Sequence, residues 1–239
     1  GVNYLREHVT SKARIHYTTD SGGFSPNIVP PRAGSWYFVR APHISEVKEI
    51  LERVRKVAEG ACLMTETSME MKIDYGCCEL LENHAYADLA YENLKEAKLP
   101  SYTEEELAFA SKLEDTLSGE TVENARKLYD TEGLPLAMKV GIRDLYQRNP
   151  LTASSDSGDV SYIMPMCLIS TVCWPAAVSP HTWQASASAG SSIGEKGALS
   201  AARVMAGIAY DLYQSSEIRE KILEEFREKK VDYRPMYEE

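Results

Sequence analysis

Arg14-Ile-His-Tyr-Thr-Thr-Asp20 is rich in β-branched and aromatic residues and alternates. Ile15, Tyr17 and Thr19 fall on one side and Arg14, His16 and Thr18 on the other, the period of a strand with two unlike faces. Gly22-Gly23 ends it, and Pro26, Pro30 and Pro31 keep the following segment extended and out of any central ladder. Ser35-Trp-Tyr-Phe-Val-Arg40 reads as the next strand, stopped by Pro42. Ser45 then offers an N-cap for a helix whose apolar residues Val47, Ile50, Leu51, Val54, Val57, Ala58 and Ala61 recur at helical spacing. Ser68–Asp74 returns to period two, with Met69, Met71 and Ile73 inward and Glu70, Lys72 and Asp74 outward. With helix-like text at Gly1–His8 in front, residues 1–76 predict a small sheet with helices on one face.

From about Glu79 the texture becomes helical. Thr103-Glu-Glu-Glu106 is a capping box ahead of Leu107, Ala110 and Leu113. A short helix is expected near Val122–Tyr129, and Pro135–Pro150 reads as a connector. Tyr162–Trp174 is an apolar run of strand length, suited to a sheet covered on both faces. Lys196–Gln214 predicts a long helix with Leu199, Ala202, Met205, Ile208, Ala209 and Leu212 on one face, and Glu217–Lys230 a solvated helix. The fold class is α/β, with 77–239 as a second domain.

Composition narrows the function. Of 239 residues, 44% are hydrophobic, enough for a core, and Asp plus Glu outnumber Lys plus Arg by 36 to 26, a net charge of −10. A surface so acidic repels phosphate backbones and anionic membranes, and no basic patch offsets it. No apolar run approaches the ~18–20 residues that span a bilayer, so a soluble, cytoplasmic protein is expected. Five cysteines without regular spacing predict reduced thiols. Cys77–Cys78 reads as packing, with a redox or metal pair as the other reading. The start at Gly1, inside helical text, reads as a piece of a longer protein.

The five histidines contain no His-Glu-x-x-His pair, and no Cys-x-x-Cys is present. Gly190-Ser-Ser-Ile-Gly194 has the wrong spacing for a nucleophile elbow, and Gly190–Gly197 lacks a phosphate loop's Gly-Lys-Ser/Thr ending, so a helix N-terminus is expected there. Two polar loops flank the Tyr162–Trp174 run: Thr152–Asp159 and Ser179–Gln184. An isolated histidine such as His181 is by default a surface residue. Asp156 or Asp159 would supply the carboxylate that a metal-bound imidazole requires.

Ser155-Asp-Ser-Gly-Asp-Val-Ser161, Cys173-Trp-Pro, Pro180-His-Thr-Trp-Gln184 and Gly194-x-Lys-Gly197 resemble the C-terminal part of the aminobenzoyl-glutamate utilization protein B group. That group belongs to the carboxypeptidase G and aminoacylase family of metallopeptidases and amidohydrolases. Arg14-Ile-His16, Gly22-Gly-Phe-Ser-Pro-Asn27-Ile-Val-Pro30 and Trp36-Tyr-Phe-Val-Arg40-Ala-Pro resemble the family's dimerisation, or lid, domain. The two blocks come in the family's order and span most of the chain.

The resemblance implies a ferredoxin-like lid over residues 1–76, N-terminally incomplete, and the C-terminal half of a mixed α/β catalytic domain over 77–239. It implies hydrolysis of the amide in an N-acyl or N-aroyl amino acid, p-aminobenzoyl-glutamate foremost, with zinc or manganese activating water and a Glu moving the proton. By resemblance His181 is a metal ligand, Asn27 and Arg40 hold substrate oxygens, His16 is a further substrate-binding candidate, and Asp156 supports the site. Homodimers would form through the lid. The remaining metal ligands and the catalytic Glu lie upstream in the family, so no catalytic residue is expected within this chain. A hydrolytic metal takes three or more protein ligands, so this polypeptide alone is expected to be inactive and to bind metal weakly at best. The rival readings are a non-catalytic dimerisation module and a thiol protein using Cys77–Cys78.

Overall fold

The computed structural model describes residues 1–141 and 153–236. A helical turn, α1 (Val2–Leu5), runs into a 3₁₀ turn (Arg6–His8) and then into β1 (Arg14–Ser21), which pairs antiparallel with β2 (Gly34–Arg40). Helix α2 (Ile44–Thr65) follows, then α3 (His84–Glu96), α4 (Glu104–Glu114), α5 (Gly119–Leu128), α6 (Ser157–Ile163), α7 (Trp183–Ala189), α8 (Ser192–Gln214) and α9 (Ser216–Lys229). The architecture is mixed helix and strand, and β1–β2 is the sheet found among the described residues. No helix among them is long and apolar enough to cross a membrane. The chain divides into two units: Gly1–Leu80 with Ser154–Ile163 and the stretch from Asp232, and Leu81–Ala153 with Met164–Val231.

In the first unit the strand register pairs Arg14 with Arg40, Ile15 with Val39, His16 with Phe38, Tyr17 with Tyr37 and Thr18 with Trp36. Ile15, Val39 and Tyr37 therefore share a face, and they pack with Ile50 and Val54 of α2 and with Val2, Leu5 and Ala13. Each large aliphatic side chain buried this way is worth about 1.5–3 kcal/mol. Helix α2 starts at Ile44, one residue before the expected cap Ser45, with His43 in the cap position. The capping comes from far along the chain: Glu79 Oε2 accepts the Ile44 N–H at 2.9 Å and Oε1 lies 3.1 Å from His43 Nδ1. Ser68–Asp74 is not a strand. Its alternation survives as half-buried Met69, Met71 and Ile73 against exposed Glu70, Lys72 and Asp74, but no ladder partner meets it among the described residues.

The second unit packs α8 against α3, α7 and α9. The capping box forms as the sequence predicts: Glu106 N–H donates to Thr103 Oγ1 at 3.2 Å, and Thr103 N–H to Glu106 Oε2 at 2.7 Å. Glu106 also accepts from Ser192 Oγ at 2.6 Å and Lys196 Nζ at 2.5 Å, tying the start of α8 to the start of α4. Bonds from Lys196 first, then Ser192 and Thr103, hold its carboxyl down at about 2. Asn93 Nδ2 of α3 donates to Asp211 Oδ2 of α8 at 2.7 Å beside the Ala90, Val204 and Ile208 core.

Two expectations change in this unit and at its border. Tyr162–Trp174 is no buried strand: Tyr162 and Ile163 close α6, and residues 164–174 form no ladder. Cys167 and Ile169 pack into the α3–α8 core while Met164 and Leu168 stay exposed, so only one side of the run is covered. The buried face of α8 is also rotated from the expected one. Ile193, Gly197, Ser200, Val204 and Ile208 point inward, whereas Leu199 and Met205 are exposed. The reason is steric: Val172 and Cys173 lie so close to Gly197 that a Cβ there would strike the Val172 carbonyl oxygen, and this contact fixes which side of the helix the core takes. Residues 142–150 of the expected connector and Thr152 of the first polar loop lie outside the described residues.

Candidate substrate-binding face and metal-ligand position

Strand parity sets the geometry of the first unit. The hairpin face turned away from Ile15 and Val39 carries Arg14, His16 and Thr18 from β1 and Trp36, Phe38 and Arg40 from β2. Arg40 and His16 are thus on one face, both exposed, with Arg40 opposite Arg14 and His16 opposite Phe38. Arg40 Nη2 donates to Ser154 Oγ at 3.0 Å, which brings the guanidinium to the loop that carries Asp156. Asp156 is exposed, and its carbonyl accepts the Val160 N–H at 3.2 Å in the first turn of α6. Asn27 lies elsewhere. It sits in the β1–β2 loop, where its Oδ1 accepts from Ser25 Oγ at 2.5 Å. From Gly34 to Arg40 the strand runs roughly 20 Å, so Asn27 and Arg40 occupy opposite ends of one hairpin.

In the same unit, α6 is laid directly on the chain at Cys78, where a Cβ on Gly158 would strike the Cys78 carbonyl oxygen. Asp159 accepts from Tyr233 Oη at 2.9 Å. Burial first, then the Asp159 carboxylate, push the Cys78 thiol up to about 11, and burial, Asp159 and Asp156 raise Cys77. Burial alone would raise Glu79, but hydrogen bonds from the Ile44 N–H and His43 outweigh it and leave that carboxyl below its ordinary value. Thiols held this high are poor nucleophiles near neutral pH.

His181, in the second unit, is exposed and has φ of +64°, a left-handed conformation uncommon for any residue but glycine. The turn is fixed from its C-terminal side, where Thr182 Oγ1 donates to the Ser179 carbonyl at 2.8 Å and accepts the Ala185 N–H at 3.2 Å, capping α7. No other described residue of its unit is hydrogen-bonded or ion-paired to the imidazole. Among the described residues no three His, Cys, Asp or Glu side chains come together as a group able to hold a metal ion. One imidazole does not make a hydrolytic metal site, so the residues present do not by themselves fit one. An open groove of about 850 Å³, lined by Glu114, Asp115, Glu123, Arg126, Asp130 and others, contains none of the candidate residues.

Aromatic residues beside Arg40 were not anticipated as part of the site. Trp36 and Phe38 share its face, which the alternation in Trp36-Tyr-Phe-Val-Arg40 already implies, and Tyr75 reaches Phe38 from outside the hairpin.

No protein-family model matches the chain. It is 34% identical over 241 aligned positions, 95% of its length, to a p-aminobenzoyl-glutamate hydrolase subunit of Escherichia coli strain K12. It is 25% identical over 226 positions, again 95% of its length, to the Xaa-Arg dipeptidase of Mus musculus. Those alignments cover 50% and 43% of the two relatives, so the chain spans about half the length of the curated proteins it matches. Both relatives are named for hydrolysing amide bonds, and the match runs through both units described above. Over nearly its whole length the chain is thus similar to about half of each of two proteins of the amidohydrolase and peptidase kind.

Proposed function

We propose that this chain is part of a metal-dependent amidohydrolase that releases an amino acid from an N-acyl or N-aroyl amino acid of the p-aminobenzoyl-glutamate kind, in the cytoplasm. The observation that carries the reading is the 34% identity to an aminobenzoyl-glutamate hydrolase polypeptide across 95% of the chain. In this reading residues 1–76 belong to a ferredoxin-like lid and 77–239 to the C-terminal part of a catalytic domain. Arg40 pairs with the substrate carboxylate, because a planar guanidinium can direct two N–H groups at two oxygens. His16 adds a second polar contact from the same face, Asn27 holds substrate oxygen from the loop end of the hairpin, and Asp156 supports the loop at Ser154.

His181 lends one imidazole to zinc or manganese, the other ligands and the general base coming from polypeptide outside this sequence. Homodimerisation through the lid is supported by the hairpin, whose two strands each keep one edge without a ladder partner among the described residues. The alternative, a non-catalytic dimerisation module, rests on that same bare edge. Co-expression with a polypeptide matching the rest of the Escherichia coli relative separates the two. The hydrolase reading expects chelator-sensitive release of glutamate from N-acyl-glutamates; a stable complex without turnover on any N-acyl amino acid overturns it.

A further inference from the structure

Trp36, Phe38 and Tyr75 form a strip of rings on the hairpin face that carries Arg40. Trp36 and Phe38 have centroids 5.1 Å apart at 49°, and Phe38 meets Tyr75 edge-on at 6.4 Å. All three stand well into solvent, at 50%, 41% and 59% exposure. Aromatic side chains normally bury most of their area, so three adjacent exposed rings are a surface waiting for an apolar or aromatic group. The charge around them is specific. Although the chain carries a net charge of −10, the face between Arg14 and Thr18 and between Trp36 and Arg40 holds two arginines and a histidine and no acid. Arg40 follows Phe38 by two residues on the same side of β2, about 7 Å along the strand.

We propose that this strip is an aryl-binding platform: the aromatic group of an N-aroyl amino acid stacks on Phe38 and Trp36 while its carboxylate pairs with Arg40. The ligand class rests on the hydrolase reading above; the residues that read the aryl group are new to it. A flat arene stacked on one ring meets the other, tilted by 49°, nearer its edge and so gains two ring contacts, whereas an aliphatic acyl group of equal charge keeps only the Arg40 pairing. The cations favour a small anionic ligand over a second copy of the chain, whose matching face would bring the same positive charges to the contact.

The test is ligand-observed NMR on the 239-residue chain, titrated with N-benzoyl-glutamate and, separately, with N-acetyl-glutamate. The expected result is roughly tenfold tighter binding of the benzoyl compound, from two ring contacts. Trp36→Leu and Phe38→Leu, both at exposed positions, should each reduce that preference, and together bring it close to one. Tyr213→Leu, at an exposed ring in the other unit, should leave it unchanged. Equal binding of the two ligands, no binding of either at millimolar concentration, or a preference that survives both leucines overturns the platform. So does a result in which the leucines dissolve a dimer in sedimentation while ligand preference stays fixed, which would assign the strip to self-association. Because the experiment involves no turnover, an inactive reconstituted enzyme whose chain still prefers the benzoyl ligand would count against the hydrolase reading and not the platform. Turnover without aryl preference would do the reverse.

Discussion

Arg40 and Ser154, 114 residues apart in sequence, are joined by a hydrogen bond from Nη2 to Oγ at 3.0 Å. A loop residue thereby helps orient the guanidinium proposed above to take a substrate carboxylate. Ser154→Ala should weaken N-benzoyl-glutamate binding by roughly fivefold, about 1 kcal/mol for one charge-assisted bond. Arg40→Lys should weaken it more, because an ammonium cannot direct two parallel N–H groups. Calorimetric titration of both variants checks the order; a stronger effect of Ser154→Ala than of Arg40→Lys would contradict it.

Glu225 performs a similar long-range task for stability. From α9 its two carboxylate oxygens accept the backbone N–H groups of His84 and Ala85 at 2.7 Å each, capping α3, and Lys229 Nζ lies 2.6 Å away. Burial opposes ionisation, but Lys229 and the two backbone bonds outweigh it and hold the carboxyl at about 2. A carboxyl lowered on folding stabilises the protein fully above its ordinary pKa, near 4.5, and loses that contribution as pH falls toward 2. Glu225→Gln should therefore cost about 1–2 kcal/mol at pH 7 and progressively less below about pH 4.5. Urea unfolding of wild type and variant across that range measures the convergence.

Glycine substitutions separate close packing from simple helix propensity. Gly197→Ala pushes a methyl group into the Val172 carbonyl and to 2.6 Å from Cys173 Sγ, so it should cost about 1–3 kcal/mol. Gly60→Ala, inside α2 with nothing within 4 Å, should gain about 0.5–1 kcal/mol. Opposite shifts in the denaturation midpoint are the expected outcome.

These cases mark what was legible in the sequence. Both strands, α2 and the Thr103–Glu106 box depend on neighbours within a few residues, and each formed within a residue or two of its expected place. The contribution of Glu79 to the start of α2 and of Glu225 to the start of α3, beside the local cap Asn83, was invisible because both glutamates come from distant sequence. Ser68–Asp74 and residues 164–174 kept their alternation but not their ladders, since period two reports which side is covered and not whether a second strand lies alongside. On α8 the larger apolar residues pointed to the Leu199 and Met205 side, and close packing at Gly197 turned a different face inward. For the site, placing His16 and Arg40 on one face needs the strand register, the separation of Asn27 needs the hairpin, and the left-handed backbone of His181 has no sequence signal.

The vicinal cysteines give a sharper outcome. With its thiol at about 11, Cys78 should react with iodoacetamide at pH 7 roughly a hundredfold more slowly than an ordinary exposed thiol. Asp159→Asn should speed it by removing a neighbouring negative charge. Fast labelling of Cys78 in the wild type would restore the thiol reading.

The most direct measurement of the whole account is metal content alongside turnover in the reconstituted enzyme, with His181→Ala as the comparison. Stoichiometric zinc or manganese, glutamate release that follows it, and loss of both in His181→Ala are the expected result. Full metal content and undiminished release in His181→Ala would contradict the placement of this chain in the hydrolytic centre.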